Sequence, residues 1–181
     1  MSVLHLRPAA PADIDCIMRL ETQGFHPAIR ETRAVMLQRL QHFPQGFLIL
    51  LNEAGEASGY LCSELWDGEA SFDQAAFALG HDIRATHRVH GTRLYISSMT
   101  VDPQYRGQGL GKRFFRQALV QLQTRMPQLR DSILLLSAEW RGAHRIYLGC
   151  GYAETARLRQ FFAAAAAHDA DAIVMQRRLD R

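Results

Sequence analysis

Residues 94–112 read LYISSMTVDPQYRGQGLGK, and this stretch decides the fold that the sequence predicts. Its first half, up to Val101, is a strand-like apolar run interrupted by two serines. The Asp102-Pro103 pair then ends the run. From Leu110 onward, apolar residues recur at helical spacing. The stretch therefore predicts a strand, a glycine loop and an amphipathic helix, in that order.

The glycine loop carries Gly107, Gly109 and Gly111 around a helix start, where glycine costs about 1 kcal/mol relative to alanine. The unpaired N–H groups and partial positive charge of a helix N-terminus suit phosphate oxygens. Lys112, the only lysine of the chain, opposes the helix dipole unless an anion lies nearby. These residues leave two interpretations open: a diphosphate site, or a strand-to-helix turn that uses glycine as a hinge.

Two nucleotide-binding motifs are excluded. The residue after Lys112 is Arg113, whereas a P-loop has serine or threonine there. The spacing of Gly107, Gly109 and Gly111 also lacks the third interval of the dinucleotide fingerprint.

The composition predicts one globular domain over residues 1–181. A net charge of +3 without a block of like charges argues against a nucleic-acid partner, and no stretch is long enough to span a membrane. Cys16, Cys62 and Cys150 have neither metal-ligand nor redox spacing, which predicts reduced thiols in the cytoplasm and no metal site. The polar N-terminus does not resemble a signal peptide.

The apolar patterns around the central stretch predict an α/β fold (α+β, with a mixed sheet). Two helices are expected early in the chain. The first begins near Pro11, with Asp13 and Asp15 in its first turn, and is broken at Gly24; the second is capped by Thr32 and ends near His42. Residues 71–79 suggest a short helix and residues 81–91 a polar loop. We expect strands over residues 3–7, 47–51, 57–66, 133–136, 152–158 and 172–178, and a helix over residues 140–148.

The sequence Arg106-Gly107-Gln108-Gly109-Leu110-Gly111 resembles the acetyl-CoA signature of the GNAT superfamily of N-acetyltransferases, Gln/Arg-x-x-Gly-x-Gly/Ala. The order of elements is similar to that fold along nearly the whole chain. The resemblance implies acetyl-CoA as co-substrate, with its diphosphate on the loop and its pantetheine arm along the preceding strand. The implied cofactor-binding residues are Met99, Thr100, Val101, Arg106, Gly107, Gln108, Gly109, Leu110, Gly111, Lys112 and Tyr147.

A second family pattern, Ala-x-x-x-Tyr-x-x-x-Gly-aromatic, occurs at Ala143, Tyr147, Gly151 and Tyr152. The asparagine that many members carry three residues before that alanine is Trp140 here, which removes a hydrogen bond to the cofactor arm. The resemblance implies that Tyr147 is the acid that protonates the departing thiolate. From the residues alone, a tyrosine packed at a helix end is the other interpretation.

Within the superfamily the chain looks most like the serotonin (arylalkylamine) N-acetyltransferase branch. Residues 63–67 (SELWD), residues 41–44 (QHFP) and the long segment before Leu94 carry this resemblance. The animal enzyme of that branch has two histidines on the cofactor strand that relay protons through water. Those positions read Tyr95 and Ser97 here, which implies a different proton route.

Acetyl transfer to an amine needs a base for the ammonium, polarisation of the carbonyl and an acid for the thiolate. Backbone N–H groups at a strand bulge can polarise a carbonyl, and Ser97-Ser98 is a candidate bulge, although small residues also serve packing. Glu64, Glu139 and His144 are candidate bases, and a structural or solvated role stays open for each. The expected catalytic residues are Tyr147, Glu64 and Ser97.

Two functions from different classes follow. The first is an acetyl-CoA-dependent N-acetyltransferase acting on a small primary amine, an arylalkylamine by resemblance, in a pocket around Phe25, Trp66 and the segment before Leu94. An acetyltransferase of protein or peptide amines is a variant of it. The second is a non-catalytic acetyl-CoA-binding sensor or scaffold. As partners we expect the amine alone, with the chain a monomer or a homodimer.

Overall fold

A seven-stranded mixed sheet forms the centre of this computed structural model, which describes residues 4–68 and 74–179. The strand order is β1-β2-β3-β4-β5-β7-β6, and the pairs are antiparallel except for β4 and β5. This arrangement confirms the predicted α/β fold with a mixed sheet. The strands are β1 (His5–Pro8), β2 (Phe47–Leu51), β3 (Ala57–Trp66), β4 (Arg93–Val101), β5 (Asp131–Ser137), β6 (Ala153–Leu158) and β7 (Ala172–Arg178).

The α-helices cover both faces of the sheet. The helices are α1 (Ile14–Gly24), α2 (Arg33–His42), α3 (Ile83–Thr86), α4 (Leu110–Arg125) and α5 (Arg141–Leu148). On one face, α4 buries an apolar stripe that includes Phe114, Phe115 and Leu122. On the other face, α1 and α2 pack on the hairpin of β2 and β3 through residues such as Ile17 and Met36.

Side chains of the central strands alternate between these two layers, as a period of two requires. On β3, Leu61 and Leu65 join the layer under α4, whereas Tyr60 and Cys62 join the layer under α1 and α2. Two-sided burial explains why every residue of β3 after Ala57 is buried, including Ser63 and Glu64. It also means that polar side chains on the α1 face of β3 are fully enclosed.

Both predicted early helices are present, although α1 begins at Ile14, after a 3₁₀ turn over Pro11–Asp13. The Thr32 hydroxyl accepts a hydrogen bond from the Val35 N–H at the start of α2. The predicted loop over residues 81–91 instead contains α3, because the Asp82 side chain caps it by accepting from the Arg84 N–H. The short helix expected over residues 71–79 falls partly outside the described residues, and residues 74–77 form a 3₁₀ turn. No helix among the described residues is long and apolar enough to cross a membrane.

Candidate active site

A cavity of about 750 Å³ connects the loop before α4 to the face of the sheet that α1 covers. It passes between β4 and β5, the parallel pair at the centre of the sheet. Residues from the glycine loop and α5 line one half, and aromatic and acidic side chains line the other. A ligand in this cavity would therefore contact both faces of the sheet.

The cavity can pass through the sheet because β4 and β5 separate. Their pairing runs from Arg93↔Asp131 to Ile96↔Leu134 and stops there, although β4 continues to Val101. Beyond Ile96, the edge of β4 that faces β5 has no strand partner. Met99, Thr100 and Val101, which were expected to bind a cofactor arm, all line the cavity along this edge.

A bulge in β4 marks the point of separation. Cys62 of β3 is opposite Ser98, but the next residue, Ser63, is opposite Ile96, so Ser97 is an extra residue. The Ser97 hydroxyl donates to the Cys62 carbonyl oxygen over 3.3 Å, and both serines line the cavity. The bulge expected at Ser97-Ser98 is therefore present, and it turns the local backbone toward the gap.

The glycine loop adopts a conformation that only glycine takes without strain. Gly107 has φ 76° and Gly109, the N-cap of α4, has φ 74°, both in the left-handed region. A Cβ at either position would meet no atom within 4 Å, so backbone conformation rather than crowding requires these glycines. The loop thus brings the N-terminus of α4 to the cavity, which Gly107, Gly109 and Gly111 line.

Two cations lie at the same end of the cavity. Arg106 and Lys112 both line it. Lys112 also extends toward the C-terminal end of α5, since a Cβ built on Gly149 would stand 2.8 Å from its Nζ. A lysine at a helix C-terminus is favourable. The structure therefore supplies a second reason for this lysine besides the nearby anion that its position in α4 suggests.

Two of the expected cofactor-binding residues do not line the cavity. The Gln108 side chain donates to the Gln104 carbonyl oxygen over 3.2 Å, along the outside of the loop. The Leu110 side chain packs against the apolar core under α4. The alternation of residues in the loop explains this outcome. The three glycines line the cavity, whereas Gln108 and Leu110, which lie between them, do not.

Tyr147 reaches the cavity from α5. Its ring packs edge-on against Phe115, with ring centroids 4.9 Å apart, and burial raises the pKa of its phenol. Within the described part of the chain its hydroxyl has no hydrogen-bond partner, whereas the Tyr152 hydroxyl donates to Ser132 Oγ over 2.7 Å. Burial therefore favours the protonated phenol of Tyr147, a residue that lines the cavity.

An aromatic wall lines the half of the cavity on the α1 face. The Phe25 and Trp140 rings are 5.7 Å apart, and the Trp140 and Phe162 rings are 5.3 Å apart. Trp140, which replaces the asparagine of many family members, thus belongs to this wall. The apolar side chains of this half are Phe25, Ile29, Phe77, Leu79, Leu135, Trp140 and Phe162.

Of the three parts expected to form the pocket, Phe25 and the segment before Leu94 line the cavity and Trp66 does not. Trp66 is buried outside the cavity, stacked on Tyr95 with ring centroids 4.1 Å apart and in edge contact with Phe77. Trp66 therefore packs against Phe77, a residue of the aromatic wall, and does not itself line the cavity. The segment before Leu94 contributes Phe77 and Leu79, while its residues 69–73 lie outside the described residues.

Two carboxylates, Glu21 and Glu31, line the same half of the cavity. Glu21 on α1 is 2% exposed and accepts hydrogen bonds from the Tyr60 hydroxyl and, over 2.8 Å, from the Glu31 N–H. Burial outweighs these hydrogen bonds and raises the pKa of Glu21. Glu31 instead pairs with buried Arg39, whose Nη2 lies 3.0 Å from Oε1.

Glu64, the expected base, lies outside the cavity. Its carboxylate accepts from Trp66 Nε1 and pairs with His81 Nε2 over 3.0 Å. Burial opposes its ionisation, but the hydrogen bonds and charge interaction with His81 and the bond from Trp66 hold the pKa of Glu64 below its ordinary value. Both oxygens thus have partners, and the contact with His81 binds the segment that carries Phe77, which favours a structural role.

The other two candidate bases also have structural partners. Glu139 accepts from the N–H groups of residues 167–169 and so fixes the loop that carries Phe162. His144 Nε2 lies 2.7 Å from a carboxylate oxygen of Glu154 on the surface. Neither residue lines the cavity.

Glu21 and Tyr60 are the residues that the sequence interpretation missed. The signal for Glu21 is its position on the buried face of α1, four residues after Ile17 and seven after Ile14. A carboxylate in an apolar stripe is costly unless it has partners or a function. Tyr60 gives no comparable signal, since a tyrosine in a buried strand is ordinary.

Comparison with known proteins identifies the family. The model of the acetyltransferase (GNAT) family matches residues 14–152. A comparison with curated protein sequences finds no significant match.

Solved structures resemble this one over nearly the whole chain. The GphF GNAT-like decarboxylase in complex with isobutyryl-CoA has a TM-score of 0.80 and 19% identity, covering 97% of this chain and 100% of that one. The loading GNATL domain of CurA from Lyngbya majuscula has a TM-score of 0.80, 15% identity and 98% coverage of both chains. The ribosomal-protein-S18-alanine N-acetyltransferase from Escherichia coli has a TM-score of 0.70 and 14% identity, covering 99% of this chain and 96% of that one. At these identities the likeness shows the fold alone.

The opposite pKa shifts of Glu21 and Glu64 predict opposite effects of pH on stability. Glu21 has a raised pKa, so the unfolded chain ionises first and the native protein loses stability as pH rises above about 4.5. Glu64 has a lowered pKa, so its contribution is present above about 4.5 and is lost as pH falls through the native pKa.

We therefore expect the free energy of unfolding of Glu21→Gln, relative to the parent, to increase with pH above about 4.5 and to be flat below it. The matched variant Glu64→Gln should instead fall relative to the parent as pH rises toward about 4.5 and be flat above it. Urea titrations between pH 3 and 8 measure both differences. Parallel pH dependences in the two variants would contradict the prediction.

Proposed function

Since the chain belongs to the acetyltransferase (GNAT) family, we propose that this enzyme moves the acetyl group of acetyl-CoA to a small primary amine with an apolar or aromatic body. One observation carries the proposal: the same cavity joins the glycine loop to an aromatic wall that holds two carboxylates. The first end suits a diphosphate, and the second suits an ammonium group attached to an apolar body. The gap between β4 and β5 lies where the two substrates would meet.

The cofactor end is suited to a polyanion. Its backbone N–H groups at the start of α4, together with Arg106 and Lys112, supply positive potential without a negatively charged side chain in the loop. Along residues 99–101, the edge of β4 that does not pair with β5 offers backbone groups to the amides of the pantetheine arm. Acetyl-CoA in this position would bring its thioester to the bulge at Ser97.

The acceptor end is suited to an amine. Glu21 and Glu31 attract a cation, and Phe25, Trp140 and Phe162 bury an apolar body. These walls support an arylalkylamine or long alkylamine, although none of the solved structures reported above is described as acting on one. A peptide would bring backbone amides that need hydrogen-bond partners, and aromatic walls provide none. A protein amine is the main competing substrate, because one of the similar structures is named as a ribosomal-protein-S18-alanine N-acetyltransferase.

Two other functions have weaker support. Decarboxylation, the activity named for the GphF protein, would require a substrate carboxylate, which Glu21 and Glu31 would repel. A non-catalytic acetyl-CoA-binding module would bind the cofactor without releasing thiol in the presence of an amine. Such a module would not need a proton donor in the cavity, whereas the Tyr147 hydroxyl has no hydrogen-bond partner among the described residues and can serve as one.

In the proposed reaction, each of three groups in the cavity has one role. The backbone at the Ser97 bulge polarises the thioester carbonyl. Glu21, in place of Glu64, takes the proton that the ammonium must lose, because Glu21 lines the cavity and burial raises the pKa of its carboxyl, which makes it a stronger base. Tyr147, whose hydroxyl is free to donate, protonates the thiolate that leaves.

The glycine loop should fail to bind acetyl-CoA when Gly109 is replaced by Asp. The substitution adds a negative charge where the diphosphate would lie and a side chain in the left-handed region. Gly55→Asp is the control, because Gly55 has φ 80° and lies in the exposed hairpin turn away from the cavity. Calorimetry should give parent-like affinity for Gly55→Asp and little or no binding for Gly109→Asp. Equal affinities in the two folded variants would remove the loop from the site.

Removal of the Tyr147 hydroxyl should slow turnover while the fold is kept. A general acid contributes roughly a hundredfold to ten-thousandfold, and we expect a loss of kcat in that range for Tyr147→Phe. Tyr152→Phe is the matched control, since Tyr152 packs on the same Phe115 but hydrogen-bonds Ser132 outside the cavity. Steady-state assays of thiol release measure both. If the two variants turned over alike, the acid would have to be another group.

An amine panel tests the substrate class. We expect arylalkylamines and long alkylamines to exceed polyamines, aminoglycosides and peptide N-termini in kcat/KM. Burial of one aromatic body gives about 1.5–3 kcal/mol, or roughly ten- to a hundredfold over methylamine. Phe162→Ala should reduce this preference more than Phe161→Ala, because only the first of these neighbours lines the cavity. A preference for peptides or polyamines would overturn the substrate assignment and leave acetyl-CoA binding intact.

A further inference from the structure

Three hydroxyl and carboxylate groups form a continuous hydrogen-bonded chain from the bulge to the interior of the α1 layer. The Ser98 Oγ lies 2.8 Å from the Tyr60 hydroxyl oxygen, and the Tyr60 hydroxyl donates to Glu21 Oε2. Ser98 is half-buried and lines the cavity, whereas Tyr60 is fully buried and does not line it. The chain is built from β4, β3 and α1, so tertiary packing fixes its geometry.

The protons in this chain have one possible arrangement while Glu21 is ionised. Tyr60 has a single hydroxyl proton, and it donates this proton to Glu21. Ser98 must therefore donate its own proton to Tyr60, which leaves the lone pairs of Ser98 Oγ available as acceptors. The first open acceptor of the chain lies at the cavity, beside the bulge.

The surrounding charges make Glu21 the final proton acceptor of the hydrogen-bonded chain. Glu31 lies next to it, but its carboxylate is already paired with Arg39, which is 1% exposed. Burial raises the pKa of the Tyr60 phenol, so Tyr60 passes protons on and does not stay ionised. Glu21 is then the group on this face of the cavity that can retain an added proton.

Position explains why an intermediate carrier is needed. An amine attacks a carbonyl carbon from about 3–3.5 Å, and under the proposed function that carbonyl is held at the Ser97 bulge. Ser98 adjoins the bulge, whereas Tyr60 stands between Ser98 and Glu21. Both Glu21 oxygens also accept hydrogen bonds already, one from Tyr60 and one from the Glu31 N–H.

We propose that Ser98 and Tyr60 relay the proton of the substrate ammonium to Glu21, an inference that rests on the proposed function. An N–H bond of the ammonium breaks and its proton passes to Ser98 Oγ. The Ser98 proton moves to the Tyr60 oxygen and the Tyr60 proton moves to Glu21 Oε2. The nitrogen keeps the electron pair that attacks the thioester, and Glu21 becomes a neutral carboxylic acid. Ser98 is the catalytic residue that meets the amine.

The protein contains a matched control for this relay. Tyr152 and Ser132 form a second buried tyrosine–serine hydrogen bond, 2.7 Å long, that lies outside the cavity. Tyr152→Phe therefore removes the same chemical group as Tyr60→Phe without affecting the relay. Ser98→Thr keeps a hydroxyl at the cavity, and Ser98→Ala removes it.

The test measures kcat at saturating acetyl-CoA with the best amine of the panel. We expect Tyr60→Phe and Ser98→Ala each to lose about a hundredfold, with parent-like KM for acetyl-CoA. Ser98→Thr, which keeps the hydroxyl, should lose less than Ser98→Ala, and Tyr152→Phe should stay near the parent. Because the two residues act in one relay, the double variant should be no slower than either single variant. The parent should also give a curved proton inventory in mixtures of H₂O and D₂O, and Tyr60→Phe a linear one.

Other outcomes overturn the relay in distinguishable ways. If Tyr60→Phe matched Tyr152→Phe while Glu21→Gln lost activity, Glu21 would take the proton directly. If the losses of Tyr60→Phe and Ser98→Ala multiplied in the double variant, the two residues would act separately. If the parent released no thiol with any amine, the proposed function and the relay would both be overturned. Equal rates in the parent and the relay variants would overturn the relay alone.

Discussion

The break in the pairing of β4 is the constraint on which the rest of the molecule depends. Up to Ile96 the strand pairs with both neighbours, and after the extra residue Ser97 it keeps β3 and loses β5. Backbone groups without partners are costly unless water or a ligand satisfies them. One apolar layer, which includes Phe114 and Phe115, holds both strands beside the gap, since it also contains Ile96 of β4 and Leu136 of β5. The cavity is therefore a consequence of how the sheet is anchored.

The acceptor half of the cavity breaks the rules that stabilise the rest of the protein. Glu21, Glu31 and Arg39 are all nearly buried, and among the described residues Nε and Nη1 of Arg39 have no hydrogen-bond partner. Burial of charges on this scale reduces stability, because the desolvation penalty is only partly recovered by pairing. Elsewhere the sheet layers are filled mainly by apolar side chains, and the buried carboxylate of Glu64 has partners on both oxygens. Local violations of this kind concentrate where a protein binds or transforms a ligand.

The sequence by itself determined the elements whose signals are local. The glycine loop, the helix that starts at Leu110 and the bulge at Ser97 all follow from residues within one short stretch. Turn residues and apolar periodicity act over a few positions, so the strand and helix order could be read without knowing what packs on what. Tyr147 was proposed from its resemblance to a family pattern, whose residues 143–152 also lie within one short stretch.

Only the tertiary structure decided which acidic residue faces the cavity. Glu64 and Glu21 are both buried carboxylates, and no local pattern separates them. His81 and Trp66 engage Glu64, while Tyr60, 39 positions from Glu21 in the chain, connects Glu21 to the bulge. These contacts depend on the strand register and on the packing of α1 across the sheet. A sequence does not specify such meetings position by position, because the packing energy of the whole core, and not any local preference, selects them.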